Sequence, residues 1–131
     1  MSENFQKVKG YLQDLGFGIS SEDVTEELVV IDDEEKGIKN LVIDCEDPIL
    51  IIEQKIMAAP KQTDPFFKRL LQLNRTLVHG AFVLDDKAEN ILFRDTLQLQ
   101  SLDLNELEGS INSLSLALAE NANELIGFSK E

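Results

Sequence analysis

Residues 27–57, ELVVIDDEEKGIKNLVIDCEDPILIIEQKIM, contain three runs rich in Val, Ile and Leu, separated by two short polar connections. The runs Glu27–Asp32, Ile38–Asp44 and Pro48–Met57 read as β-strands, because branched apolar residues suit a pleated, half-buried surface. Asp33-Glu34-Glu35-Lys36-Gly37 supplies the first turn, with Gly37 free to take a positive φ. Cys45-Glu46-Asp47-Pro48 supplies the second, where Pro48 suits the start of a strand. Connections this short join antiparallel neighbours, since a parallel crossover needs about a dozen residues or more. The stretch is therefore a three-stranded antiparallel meander.

Helical patterns flank it on both sides. Upstream, Phe5, Val8, Leu12 and Leu15 recur at helical spacing, and Gly16 is placed to end that helix in a left-handed cap. Downstream, Thr63-Asp64-Pro65 combines a capping side chain, a first-turn acid and a proline where its missing N–H does no harm. Val78–Asp85 and Asn90–Gln98 read as a hairpin. Leu104, Leu107, Ile111, Leu114, Leu118, Ala122 and Leu125 mark a last amphipathic helix, with Asp103 or Ser101 as cap and Gly127 as end. The expected fold is α+β, in the order helix, three-stranded meander, helix, β-hairpin, helix. No linker divides the chain, so residues 1–131 are expected to form a single domain.

Charge narrows the function classes. The 131 residues carry 25 acidic and 12 basic side chains, a net −13. Such a chain is repelled by nucleic-acid phosphates and by anionic membrane surfaces, so neither is an expected partner. No apolar run approaches the roughly 20 residues that span a bilayer, and no apolar segment follows the first lysines as a secretory signal requires. The expected location is cytoplasmic.

Catalysis has little to build on. Cys45 is the only cysteine and His79 the only histidine, too few for a closed zinc site or an internal disulfide. Both lie in apolar segments and read as structural. Gly16-Phe17-Gly18 follows a helix instead of a strand and lacks the later glycine of a phosphate-binding loop. Asp32-Asp33-Glu34-Glu35 has the charge for a hard cation, but consecutive turn carboxylates point in alternate directions and read as a solvated turn. The expectation is a non-enzymatic protein with no catalytic, cofactor-binding or metal-binding residues.

Two features exceed what one core needs. On the helix after Pro65, Phe66, Leu70, Leu73 and Leu77 fall on one line with Phe67 and Leu71 beside them, an arc of roughly 160° against the usual ~100°. Lys68, Arg69 and Arg75 fill the remainder of that wheel. In the meander, Leu50, Ile52 and Ile56 point one way with Gln54 among them, while Ile49 and Ile51 point the other. Leu28 and Val30 likewise oppose Val29 and Ile31. An antiparallel sheet with one wet face should alternate apolar and polar. Here one end of the second face stays apolar and needs cover from the chain's own terminal helices, a second subunit or a bound chain.

The runs Leu70-Leu71-Gln72-Leu73-Asn74-Arg75-Thr76-Leu77, Gly80-Ala81-Phe82-Val83-Leu84-Asp85 and Ile91-Leu92-Phe93-Arg94-Asp95-Thr96-Leu97 resemble the YbjN-type and Tir-chaperone (CesT-type) proteins. These share the fold of the class I chaperones of type III secretion. The resemblance implies an acidic, non-enzymatic homodimer that holds a segment of a client or effector protein. It further implies a dimer contact through Phe66, Leu70, Leu73 and Leu77, and a client laid along the first helix and the exposed sheet, involving Val29, Ile31, Ile49 and Ile51. YbjN-type relatives without a secretion role imply an alternative, a regulatory or scaffolding protein that binds a folded partner.

Overall fold

The computed structural model describes residues 2–130 and extends the meander by one strand. Helix α1 (Glu3–Asp14) leads into β1 (Ile19–Asp23), β2 (Leu28–Asp33), a single 3-10 turn (Glu34–Lys36), β3 (Ile38–Glu46) and β4 (Ile49–Ala58). Helix α2 (Thr63–Asn74), the hairpin β5 (Ala81–Leu84) and β6 (Asn90–Gln98), and α3 (Leu104–Ser129) complete the chain. All strand pairs are antiparallel, in the order β1-β2-β3-β4-β6-β5. Strand β1 lacks the expected alternation because it lies at the sheet edge, where Ser20-Ser21-Glu22-Asp23 stays exposed and only Ile19 is partly covered.

Local chemistry sets the helix ends. The Ser2 hydroxyl accepts from the Phe5 N–H at 3.1 Å and caps α1. At the other end Gly16, at φ +84°, lets the Phe17 N–H donate to the Leu12 carbonyl at 2.9 Å, while Gly16 N–H donates to Gln13. Asp103, not Ser101, caps α3 by accepting from the Glu106 N–H at 2.8 Å. Among the strands, Cys45 and Glu46 belong to β3 instead of the turn, and the hairpin starts at Ala81 instead of Val78; two expected helix boundaries also move. Thr63 lies inside α2 and caps nothing, and α3 runs through Gly127 to Ser129. Gly127 keeps a helical backbone, because Leu125 and Phe128 on either side pack into the core and hold the last turn.

All three helices pack on one face of the sheet. Phe5, Val8 and Leu12 of α1 and Leu107, Ile111 and Leu114 of α3 close over Val29, Ile31, Leu41, Ile43, Leu50, Ile52 and Phe93. A second cluster joins Phe66, Leu70 and Leu73 of α2 to Ala117 and Leu125 of α3 and to Phe82 and Ile91. Polar contacts fix α3 over the hairpin. Ser110 donates to Asp95 at 2.8 Å, and Ser113 donates to the His79 carbonyl and accepts from its N–H. Arg69 of α2 clamps Glu124 of α3 with two bonds of 2.5 and 3.1 Å.

Three residues of the middle third have clear structural reasons. The Asn74 side chain accepts from the Phe82 N–H at 2.8 Å and donates to the Phe82 carbonyl, tying the end of α2 to β5. Gly80 sits at φ +73°, and any Cβ there would run into the Phe93 ring. Gln54 is buried on the helix side, where it accepts from Lys39 N–H and donates to the Gly37 carbonyl. Those backbone groups lie beside the irregularity in the β2–β3 ladder, so the amide supplies the bonds that the ladder lacks there.

Candidate functional site

The opposite face of the sheet has no helix over it among the described residues. Its composition follows from register. Leu28, Asp44, Ile51 and Thr96 lie in one row across β2, β3, β4 and β6, and Val30, Val42, Glu53 and Arg94 in the next. Glu46, Ile49 and Gln98 form the row on the other side. Leu28, Val30, Val42, Ile49 and Ile51 therefore make one apolar patch. They are only half-buried, shielded by each other, and belong to neither core cluster. Beyond the ion pair of Arg94 and Glu53, at 2.7 Å, the face continues as Leu92, Val83 and Ala81.

The structure divides the four residues expected to hold a client. Ile49 and Ile51 lie on the open face. Val29 and Ile31 are completely buried beneath the helices, on the other side of β2. Side chains of a strand alternate, so the residues of β2 that share a face with Ile49 and Ile51 are Leu28 and Val30. Sequence alone left the pairing register of β2 open, and a shift of one residue exchanges the two faces.

The residues expected at a dimer contact are also placed. Phe66, Leu70 and Leu73 are buried in the second core cluster, where Phe66 meets the Phe128 ring edge-on at 5.0 Å. Leu77 lies past the end of α2 and is partly covered by both clusters. The broad stripe thus has a central line that faces the chain's own sheet and α3. Phe67 packs on the shoulder, and Leu71, 70% exposed, is left pointing outward. Val78, 77% exposed, follows in the loop before β5.

Asp44 is the polar group within the apolar patch. Leu28 and Ile51 face it directly on the neighbouring strands. Its Oδ1 is enclosed and has no hydrogen-bond partner among the described residues. Burial, reinforced by Glu46, Glu26 and Glu53, pushes its carboxyl up to about 6. Nothing in the sequence pattern distinguished Asp44 from other acids, because it closes the run Ile38–Asp44 beside Glu46 and Asp47 of the polar turn.

Other candidates are quieter. The Cys45 thiol is buried and pushed up to about 12 by desolvation and nearby carboxylates, so it stays protonated at neutral pH. Asp32 is held below its usual range chiefly because it accepts from the Asn40 N–H at 2.8 Å. Among the described residues no group of three His, Cys, Asp or Glu side chains is placed to hold a metal ion. No described helix is long and apolar enough to cross a membrane. A shallow apolar groove of about 320 Å³ runs between the end of β4 and α3, lined by Ile56, Met57, Leu118, Ala122, Leu125 and Ile126.

Comparison with known proteins places this geometry in context. A family model described as CesT_Tir_1 matches residues 1–131. No curated protein matches the sequence significantly. Among solved structures, the chain is similar to YbjN from E. coli, at 16% identity and a TM-score of 0.72 over 92% of both chains. It is similar to a chain of the HopA1–SchA chaperone–effector complex, at 12% identity and a TM-score of 0.62, covering 100% of this chain and 99% of that one. The Yersinia pestis type III secretion chaperone SycH, in complex with a fragment of YscM2, gives 11% identity and a TM-score of 0.54, with 96% and 99% coverage.

Proposed function

The chain belongs to the CesT_Tir_1 family, and from that premise we propose that it is a chaperone-like module that holds a segment of a client protein on the open face of its sheet. The observation that carries this reading is the apolar patch Leu28, Val30, Val42, Ile49 and Ile51, left without a helix across it. A contiguous apolar patch rimmed by polar groups is the usual mark of a protein-binding surface. The fold shared with the chaperone of the HopA1–SchA complex and with SycH supports a protein as the ligand. Family membership likewise supports a non-enzymatic, cofactor-free role in the cytoplasm.

Ile51→Lys tests this directly. The substitution adds a charge to the patch, and it sits across from Asp44, which can pair with it. Tagged wild-type chain recovered from its native cells is expected to retain defined protein partners that the variant loses, with both chains melting at similar temperatures. Identical partner sets on the two chains would sink the reading.

Self-association is part of the same proposal. With Phe66, Leu70 and Leu73 buried, a second copy would meet what α2 and the following loop leave outward, Leu71 and Val78. Light scattering at micromolar concentration is expected to report a dimer that Leu71→Asp dissociates. A wild-type monomer across that range removes the dimer from the proposal.

A second reading has its own support. The likeness to YbjN fits a scaffold that binds a folded partner at the same face. Hydrogen exchange separates the two, since an extended client becomes protected on binding whereas a folded partner is protected beforehand.

A further inference from the structure

The open face carries a built-in electrostatic mismatch. Asp44 stands in the apolar patch with Leu28 and Ile51 directly across from it and Val42 and Val30 beside it. A carboxylate in such a setting is costly unless a donor or cation reaches it. No donor or cation bonds Oδ1, which is enclosed, among the described residues, and the side chain that the carboxyl does meet is another acid, Glu46. The neighbouring acids Glu26, Glu46 and Glu53 add to the negative potential. Arg94, the cation in the adjoining row, is bonded to Glu53.

We propose that Asp44 anchors a lysine or arginine of the bound segment, so that the open face selects extended polypeptide in which one cation lies between apolar residues. The inference rests on the docking reading above and names the chemistry of its ligand. Charge complementarity decides the occupant. A second copy presenting the same face in a two-fold contact would set Asp44, Glu26 and Glu46 near their own counterparts, on a chain of net charge −13. An apolar segment with a cation instead covers Leu28, Val30, Val42, Ile49 and Ile51 and neutralises the carboxylate in one step. A charge-assisted bond of this kind is worth on the order of tenfold in affinity or more.

The test uses the full chain and two synthetic peptides that differ at one residue. The first is the blocked peptide acetyl-Thr-Ile-Thr-Val-Lys-Val-Thr-Ile-Thr-amide, and the second has norleucine in place of its lysine. Both are titrated to millimolar concentration while backbone amide resonances of β2, β3 and β4 are followed. The lysine peptide is expected to bind at least about tenfold tighter. Asp44→Asn should erase that difference without weakening the norleucine peptide. Equal affinity of the two peptides for the wild-type chain, with shifts on this face, overturns the anchor and leaves the docking face standing. No shift on this face with either peptide overturns both. A wild-type dimer that Ile51→Lys dissociates assigns the face to a second copy and overturns the proposal.

Discussion

Replacing Phe66 by alanine is expected to lower the stability of the isolated chain by about 3–5 kcal/mol, the range for emptying an aromatic site in a packed core. Phe66 is completely buried, contacts Phe128 edge-on, and links α2 to α3. Its loss leaves a cavity between two helices that contribute to no other shared cluster. Urea denaturation followed by circular dichroism measures the change. Leu71→Ala, on the same helix but 70% exposed, is expected to stay within about 0.5 kcal/mol of wild type. If Phe66 served only a dimer contact, its replacement would leave monomer unfolding unchanged. A Phe66→Ala loss below about 1 kcal/mol would contradict the core assignment.

Asp44→Asn is expected to raise stability at neutral pH. The carboxyl ionises near 6 in the folded chain against an ordinary 3.8, so the folded state holds its proton more tightly than the unfolded state. Its ionised form therefore subtracts from stability. The penalty is complete above the folded value, shrinks as pH falls through about 6, and is gone below about 4. Two pKa units correspond to about 3 kcal/mol. Partial solvent contact reduces this to about 1–2 kcal/mol. Urea midpoints of wild type and variant, compared at about pH 7.5 and pH 4.5, should differ at the higher pH and converge at the lower. Equal differences at both values would mean that the charge of Asp44 is not the cause. Because bound cation removes the same penalty, a destabilising group on the open face is consistent with a site kept ready for a ligand.

Much of the fold is legible in the residues. Gly37 and Gly16 take positive φ where turn and cap chemistry required it, and the amphipathic spacing of α1 and α3 marks most of the residues that reach the core, although Ala122 stays exposed. Strand β1 escaped because an edge strand buries almost nothing and so carries no period. Thr63 was over-read as a cap because a favourable residue type does not oblige its side chain to reach the free N–H groups. The width of the stripe on α2 suggested a second partner, whereas α3 provides that partner from within the chain. The open patch was half legible. Ile49 and Ile51 followed from alternation, but Val29 and Ile31 were assigned to the wrong side of β2.

Sequence by itself determined every element type but strand β1, the antiparallel connections, the net charge and the presence of a surplus of apolar side chains. These depend on near neighbours along the chain, through propensity, period and turn chemistry. Which face each surplus occupies was decided only in the tertiary structure. The register of β2 against β3 sends Val29 and Ile31 inward and Leu28 and Val30 outward. The packing of all three helices on one side then leaves Asp44 among apolar residues, its Oδ1 without a hydrogen-bond partner among the described residues. Both outcomes are long-range: a strand offers two equivalent alternations, and only the surfaces that meet it choose between them.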